Sequence, residues 1–380
     1  MKKGWEIKTL GEVCEILDHK RKPVTKRHRV SGQYPYYGAT GIQDYVADYL
    51  FDEPLVLVGE DGAKWGSGEC TAFAVEGKCW VNNHAHVLRP FRDIVLDNWL
   101  IHYLNHSDLS EYVSGLTVPK LNQGNLRDIL IPLPPLAEQR RIVGILDEAF
   151  AGIATAKANA EKNLQNARAL FESHLNAVFT QKGEGWVERR LGDVSEEFGR
   201  GKSKHRPRND PKLYGGKYPF IQTGDVRNCD HRITAYTQTY NAMGLAQSKL
   251  WPKGTLCITI AANIAETGIL DFDACFPDSV IGVVADEKST SNKFLEYLLR
   301  SFKTRLQAQG KGSAQDNINL ATFENQVFPF PGRRVQDQLV IELDSLRKDT
   351  RRLESVYQRK VAALEVLKKS LLHEAFTGAL

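Results

Sequence analysis

The chain has 380 residues, of which 42% are hydrophobic and 25% are charged, and its formal net charge is +4. This balance is typical of a globular protein with a sizeable core, and so mild a charge excludes a histone-like mode of polyanion binding. No apolar run reaches the ~18 residues of a membrane span and no signal peptide is recognisable, so we expect a cytoplasmic protein. The six cysteines are scattered singly, which is typical of reduced thiols rather than of a disulfide framework.

The globular parts have a mixed α/β pattern. In chain order, residues 55–58 form an apolar run typical of a strand, and residues 98–104 have the periodicity of a short amphipathic helix. Residues 255–260 and 280–284 are predicted to be strands, and residues 293–302 a helix. Frequent turn glycines make the pattern too irregular for a Rossmann sheet.

A long helix with a heptad-like apolar seam is predicted after each globular part. The first helix begins after Pro134-Pro135 and ends before Gly183, and the second ends before Gly378. The first seam is rich in alanine and the second in leucine, so we expect the two helices to pair as an antiparallel coiled coil. The first seam consists of Ile142, Leu146, Ala149, Ile153, Ala156, Ala160, Ala167 and Leu170, and the second of Leu339, Leu343, Leu346, Leu353, Tyr357, Leu364, Leu367 and Leu371.

The chain is also an internal repeat with pseudo-twofold character. WEIKTLGEV from Trp5 is matched by WVERRLGDV from Trp186, and IPLP from Ile131 is matched by FPFP from Phe328. The first pair lies 181 residues apart and the second pair 197, so the second globular part is 16 residues longer. We predict a first globular domain (1–136), a central helix (137–182), a second globular domain (183–333) and a C-terminal helix (334–380).

Catalytic patterns are weak. GRGKS from Gly199 lacks the earlier glycine of a phosphate-binding loop. Asp278, Asp286 and Lys288 have the outline of a metal-dependent nuclease site, but the first repeat offers no equivalent. The cysteines and histidines lack the paired spacing of zinc ligands. We expect no catalytic residue and no metal, and we keep as alternatives a metal-dependent DNA nuclease and a coiled-coil scaffold that binds no DNA.

A basic cluster stands at the same place in both repeats, between the tryptophan and a Tyr-Pro pair. Interleaved prolines and glycines indicate loops, and a basic loop on a near-neutral domain is typical of a local contact with a polyanion, with a solvated loop as the alternative. The predicted phosphate contacts are Lys20, Arg21, Lys22, Lys26, Arg27 and Arg29 in the first repeat, and Arg200, Lys202, Lys204, Arg206 and Arg208 in the second.

Reading bases requires donors and acceptors that reach the groove edges. Polar groups in loops are the candidates, although amides also serve turns and helix caps. These candidates are Asn82, Asn83, His84, Lys120 and Asn122 in the first repeat, and Gln222, Thr223, Asn263, Lys311 and Asn317 in the second.

Together these features resemble the specificity subunit of Type I restriction-modification systems. The resemblance rests on the openings at Trp5 and Trp186, on YGATGI from Tyr37, on IPLPPLAEQRRI from Ile131 and on AFTG from Ala375. It covers the whole chain, and the order of the parts matches too.

The resemblance implies two target recognition domains that each read one half of a split, asymmetric DNA sequence, separated by two long helices. It implies a non-catalytic subunit whose helices dock two methyltransferase subunits, which carry the adenosylmethionine, and which restriction subunits can join. No cofactor is expected on this chain. Docking is expected at Glu138, Gln139 and Gln336. Because Val335 stands where the first helix has a glutamate, we expect the second docking site to be built differently.

Overall fold

The computed structural model describes residues 4–115, 117–261, 264–310 and 320–380. Two compact units divide the chain: the first contains Met1–Lys162 and Tyr357–Leu380, and the second contains Asn163–Val356. Each unit therefore combines one globular domain with a segment of both long helices. In the described part of the chain, no helix is both long enough and apolar enough to span a membrane.

The first domain is built on three sheets. An antiparallel sheet has the strand order Cys14–Ile16, Ala85–Pro90, Leu55–Gly59, Ala72–Val75, and a mixed sheet has the order Gly41–Val46, Ser31–Gly38, Lys78–Val81, Phe51–Asp52. In the third, the strand Glu6–Thr9 pairs antiparallel with Leu130–Leu133, so the domain's first and last strands are neighbours. The α-helices are Leu10–Val13, Asp97–His106 and Gln123–Arg127, and the 3-10 turns are Asp18–Lys20, Lys26–His28 and Ser110–Tyr112.

The second domain repeats this plan. Its larger sheet has the order Ser195–Arg200, Val280–Ala285, Leu256–Thr259, Thr267–Leu270, Arg232–Ile233, and its mixed sheet has the order Gln238–Tyr240, Tyr214–Phe220, Ala274–Cys275, Leu250–Trp251. Val187–Arg190 and Val327–Phe330 again pair the two ends of the domain. The α-helices are Thr223–Asn228, Ala242–Ala246, Asn292–Gly310 and Leu320–Asn325, and the 3-10 turns are Gly192–Val194 and Pro211–Leu213.

The mixed sheets show most directly that the repeat is structural. Each contains one parallel pair, with Tyr36 opposite Trp80 in the first domain and Phe220 opposite Cys275 in the second. Glycine is required at the same position of both. A Cβ atom on Gly32 would lie 2.3 Å from Cα of Ala47, and one on Gly216 would lie 2.3 Å from Cα of Asn241, so no other residue fits at either position. The matched words in the sequence therefore correspond to matched backbone.

The two long helices are Leu136–Thr180 and Arg333–Thr377, each of 45 residues. They run antiparallel within each unit. In the first unit Lys157 pairs with Glu365, and Arg141 donates to the carbonyl of Leu380 at 2.7 Å. In the second unit Arg168 pairs with Glu354 at 3.1 Å and His174 with Glu342 at 2.8 Å. The prediction of two long antiparallel helices between α/β domains is confirmed, whereas the exact boundaries of the four predicted segments stay a prediction.

The seam of these helices differs from the predicted one at three positions. Leu170, Leu353 and Leu367 are 51%, 41% and 46% exposed. In the first helix the spacing from Ala167 continues by four to the buried Phe171, not by three to Leu170. In the second helix the buried position is the polar Thr350, so the choice of the nearest leucine was wrong.

An aspartate in each long helix fastens it to the domain of its own unit. Asp147 accepts hydrogen bonds from Asn98 at 3.2 Å and from His102 at 2.9 Å. Asp344, at the equivalent place in the second unit, accepts from Lys293 and Tyr297 at 2.9 and 2.6 Å. The acceptor is thus the same in both units while the donors differ.

A buried glutamine in the first turn of each long helix makes a second attachment. Gln139 is 0% exposed; its oxygen accepts from the backbone N–H of Leu96 at 3.0 Å, and its nitrogen donates to the carbonyls of Ile94 and Pro134, both at 2.9 Å. These three bonds join the domain, the last turn before the helix and the helix itself.

Gln336 makes the same attachment in the second unit and is 2% exposed. It accepts from the hydroxyl of Thr290 at 2.8 Å and donates to the carbonyls of Ser289 and Pro331 at 3.1 and 2.9 Å. These placements correct the expected docking role of Gln139 and Gln336, because a side chain buried and fully bonded inside the chain presents no surface to a partner.

Replacing Gln139 by leucine should lower the free energy of unfolding of the first unit by at least about 2 kcal/mol, because one N–H and two carbonyls then lose their partner in the interior. Urea denaturation followed by circular dichroism measures the change. Asn159→Leu, an exposed amide on the same helix, is the matched control and should stay within about 0.5 kcal/mol of the wild type. A Gln139→Leu chain as stable as this control would contradict the structural role.

Candidate nucleic-acid interface

The basic loop of the first domain follows the strand Cys14–Ile16 and presents four exposed cations: Lys20, Lys22, Lys26 and Arg27. None of the four forms an ion pair with any residue that the structure describes, so their charge faces solvent. Arg29 is different, since its guanidinium lies 4.1 Å from the centre of the Tyr36 ring and donates to Asp44 at 3.1 Å. This hydrogen bond holds the pKa of Asp44 below its usual range.

Asp18 organises the buried side of this loop. It is 8% exposed, and its carboxylate is hydrogen-bonded to Nδ1 of His86 at 2.6 Å, to the N–H of Val87 at 2.9 Å and to Gln123 at 3.1 Å. Burial by itself would raise the pKa of Asp18, but the hydrogen bonds from His86 and Val87 and the charge of Arg21 hold it below its usual value. Asp18 is therefore charged in the folded domain.

Glu60 connects this network to the other predicted segments. It is 7% exposed and forms ion pairs with Arg21 and with Lys120, the latter at 2.7 Å. Nε2 of His86 lies 2.7 Å from the carbonyl of Leu121. The basic loop, the turn 82–84 and the loop 120–122, which are far apart in sequence, are thereby brought together around two buried carboxylates.

The predicted residues of this site divide into exposed and buried ones. Asn83 and His84 are exposed, and Nδ1 of His84 is hydrogen-bonded to Asp61, while Lys120 and Asn122 are half-buried. Asn122 accepts from the N–H of Asn125 at 2.9 Å and so caps a short helix.

Arg21 and Asn82 require a correction. The guanidinium of Arg21 is directed inward to Asp18, Glu60 and the carbonyl of Ala85. Asn82 is 2% exposed, donates to Gln43 at 3.2 Å and accepts from the N–H of His84 at 2.8 Å. Both side chains hold the loops in place and do not face a ligand.

Sequence reasoning missed Asp18 and Glu60, because a buried acid carries no local signature and its partners lie up to 105 residues away. One ligand atom each from Asp18, Glu60 and His86 lie within 4.8 Å of one another, as metal ligands do. Arg21 and Lys120 already neutralise the two carboxylates, so the cluster is an ion-pair network complete in itself.

The basic loop of the second domain exposes all five predicted cations. Arg208 donates to both carboxylate oxygens of Asp278 at 2.7 and 2.8 Å, and Arg206 donates to the carbonyls of Ser203 and His205. The other three, Arg200, Lys202 and Lys204, form no ion pair with the described residues. They are the free cations of this loop.

A cavity of about 340 Å³ adjoins this loop and joins it to a second predicted set. Ser203 and Arg208 line it from the loop, and Gln222 and Thr223 line it from the end of the strand Tyr214–Phe220. The wall also contains Gln238, which sequence reasoning missed. Only strand pairing brings Gln238 here, since it lies opposite Phe220 in the sheet.

The remaining predictions have separate outcomes. Asp278 is engaged by Arg208, and Asp286 accepts from the hydroxyl of Ser289 at 2.6 Å and the N–H of Lys288 at 3.1 Å. Asp278 is therefore part of an ion pair and Asp286 part of a turn, whereas the nuclease alternative requires the two carboxylates to bind a metal together. Glu138 is ion-paired with Arg141 at 2.7 Å at the start of the first helix. The predicted contacts Asn263, Lys311 and Asn317 lie outside the described residues.

A family model of the Type I restriction modification DNA specificity domain matches residues 2–165 and 183–361, one copy for each repeat. Among curated proteins, the chain is 29% identical to a type I restriction enzyme specificity subunit of Haemophilus influenzae, over 89% of this chain and 86% of that protein. It is 24% identical to the EcoBI specificity subunit of Escherichia coli, over 72% of this chain and 63% of that one.

Solved structures show the same fold. One, from a study of complex assembly and conformational transition of the type I R-M system, superposes with a TM-score of 0.76 at 20% identity and covers 100% of this chain and 99% of its own. The HsdS subunit from Thermoanaerobacter tengcongensis superposes with a TM-score of 0.64 at 20% identity, over 100% and 98% of the two chains.

Asp18→Asn should destabilise the first unit at pH 7, and the difference from the wild type should decrease as the pH falls. Because the folded-state pKa of Asp18 is lowered, its carboxylate stabilises the fold above the pKa of the unfolded chain, about 4. That contribution is lost as the pH falls through the folded value. Urea midpoints at pH 7 and pH 3 measure it, with the exposed Asp48→Asn as control; an equal difference at both pH values would refute the charged role.

Proposed function

Since this chain belongs to the Type I restriction modification DNA specificity domain family, we propose that its two domains each read one half of a bipartite, asymmetric DNA target. The chain is a specificity subunit, which performs no chemistry itself and directs the methyltransferase and restriction subunits of its complex. Two domains with one plan supply two readers, and their different side chains supply two different half-sites.

The observation that carries this proposal is the repeated arrangement of the reading surface. Each domain places an exposed basic loop beside its mixed sheet, with Lys20 and Lys22 in the first and Lys202 and Lys204 in the second. Cations of this kind bind phosphates and orient the domain, while polar groups beside them are free to meet base edges. At the equivalent strand ends the first domain has Gly38 and the second has Gln222, so the two surfaces differ where bases would be read.

The partners follow from the same reasoning. We propose that the long helices dock two methyltransferase subunits, which bind adenosylmethionine, and that restriction subunits join this complex. Each helix keeps large apolar side chains in solvent: Ile145 is 36% exposed, Ile341 70% and Val366 67%. A docked partner that covered them would remove this apolar area from water, so we propose these side chains as part of the docking surface.

Mapping DNA methylation in cells that express this chain with its cognate methyltransferase subunit tests the proposal. We expect a motif of two unlike half-sites separated by a non-specific spacer, because the two readers differ. The methyltransferase subunit expressed without this chain is the control and should give no such motif. A contiguous motif, a palindrome or no motif at all would refute the bipartite reading.

Replacing Arg200, Lys202 and Lys204 by alanine should weaken DNA binding on all sequences alike and reduce the salt slope, because about 0.9 counterions are released for each phosphate contact. Titrations of the assembled complex at several salt concentrations measure both quantities. The control removes the exposed Arg189 and Arg190 of the strand Val187–Arg190 and should leave the slope unchanged. An unaltered slope in the loop variant would show that the loop does not contact DNA.

A further inference from the structure

The cavity beside the second basic loop contains a pair of coupled amides. Gln222 follows the strand Tyr214–Phe220 and Gln238 begins the neighbouring strand Gln238–Tyr240. Nε2 of Gln222 donates to Oε1 of Gln238 at 2.6 Å, and both side chains are exposed. Gln222 is also the N-cap residue of the helix Thr223–Asn228, where its side chain and Asp225 form an exposed capping box, whereas Gln139 and Gln336 are buried.

The coupling leaves a defined pattern of unused hydrogen-bonding groups. An amide has an oxygen that accepts and a nitrogen that donates, and the pair uses one of each between its members. An amide oxygen has two lone pairs, so Oε1 of Gln222 keeps one acceptor site beside its contact with the N–H of Asp225, and Nε2 of Gln238 remains as a donor.

The surroundings of the pair are rigid and are not satisfied by the protein alone. Ser203 is 5% exposed and lines the cavity, and its hydroxyl has no hydrogen-bond partner in the described part of the chain. Arg208 is held by Asp278, and its carbonyl accepts from the hydroxyl of Tyr214 at 2.7 Å. Burial raises the pKa of Tyr214 to about 12, so this hydroxyl stays neutral and keeps its donor.

Three packed aromatic rings lie on the strands that carry Gln222 and Gln238. Phe220 stacks on the buried Tyr240 with ring centres 4.1 Å apart, and Tyr214 packs against both rings. Because Phe220 and Tyr240 belong to the two strands that carry the glutamines, this stack fixes the distance between the strand ends. The acceptor and donor are thereby presented together.

We propose that Gln222 and Gln238 read one adenine·thymine base pair in the half-site of the second domain. In the major groove adenine presents its N6 amino group as a donor beside N7 as an acceptor, which complements one acceptor beside one donor. Lys202 and Lys204 flank Ser203 in the chain, so phosphate contacts adjoin the base contact. This inference rests on the proposed function, and it concerns one half-site, because the first domain has Gly38 in place of Gln222.

The experiment measures binding of the complex of this chain with its methyltransferase subunit to DNA that carries the mapped motif. At one adenine of one half-site, exchange of the base pair or replacement by 7-deazaadenine, which lacks N7, should weaken wild-type binding by about 5- to 150-fold. Gln222→Leu and Gln238→Leu should each strongly reduce the base-pair preference at that position alone. Gln238→Leu, which removes the donor to N7, should not respond to 7-deazaadenine there, whereas Gln222→Leu keeps that donor and should still respond.

The control and the outcomes separate this inference from the proposed function. Gln326→Leu, an amide of the same domain outside the cavity, should retain every base preference, and circular dichroism should show both cavity variants folded. Glutamine variants that keep the adenine preference, or that weaken binding equally at all positions, would overturn the assignment. So would a motif without an A·T pair in either half. A wild-type complex without any bipartite preference would instead refute the proposed function.

Discussion

The rest of the structure depends on the buried glutamine in the first turn of each long helix. An amide in the interior must have all its hydrogen bonds, since each unpaired group costs about 1–3 kcal/mol. Gln139 and Gln336 therefore hold the helix start, the preceding turn and the domain in one arrangement. About two turns further along, Asp147 and Asp344 make a second attachment, so each helix segment is held at two points against the domain of its unit.

This attachment is also where sequence interpretation and structure differ most. The residues of the helix-opening motif were readable as a signature, but a signature does not show which side of the helix a residue occupies. Gln139 was expected to meet a partner and instead satisfies the chain's own backbone. In the same way Arg21 reads as one cation among six, because its carboxylate partner Glu60 lies 39 residues away and only the folded sheets bring the two together.

Periodic patterns were read more successfully. The strand at Leu55–Gly59 and the two helices of equal length follow from hydrophobic spacing, which the backbone geometry of strands and helices imposes locally. The predicted seam was wrong at Leu353, where the buried position is the polar Thr350, at Leu170, where the step of four reaches Phe171, and at Leu367, which is exposed. Gln238 could not be found from sequence, because it lies 16 residues from Gln222 and only the pairing of their strands brings the two side chains together.

The two domains use one backbone plan with different polar chemistry. In the first, the hydroxyl of Tyr36 accepts a hydrogen bond from the N–H of Val24 at 3.0 Å. A Cβ atom on Gly38 would lie 2.1 Å from the side-chain amide of Gln43, so only glycine fits there. In the second, Phe220 and Gln222 occupy these positions, which opens the cavity. At these positions the two domains therefore differ in side chains while the strand pairing is the same.

The pairing of each domain's first strand with its last has a consequence for how such chains change. In Glu6–Thr9 with Leu130–Leu133, and in Val187–Arg190 with Val327–Phe330, the chain enters and leaves at adjacent strands, about 5 Å apart. The globular domain between the two paired strands is therefore joined to the rest of the chain at one place, next to the start of a long helix. A gene that exchanged this segment at its two ends would keep both long helices and their pairing, and the new domain would need only to present one donor and one carbonyl to the glutamine at the helix start.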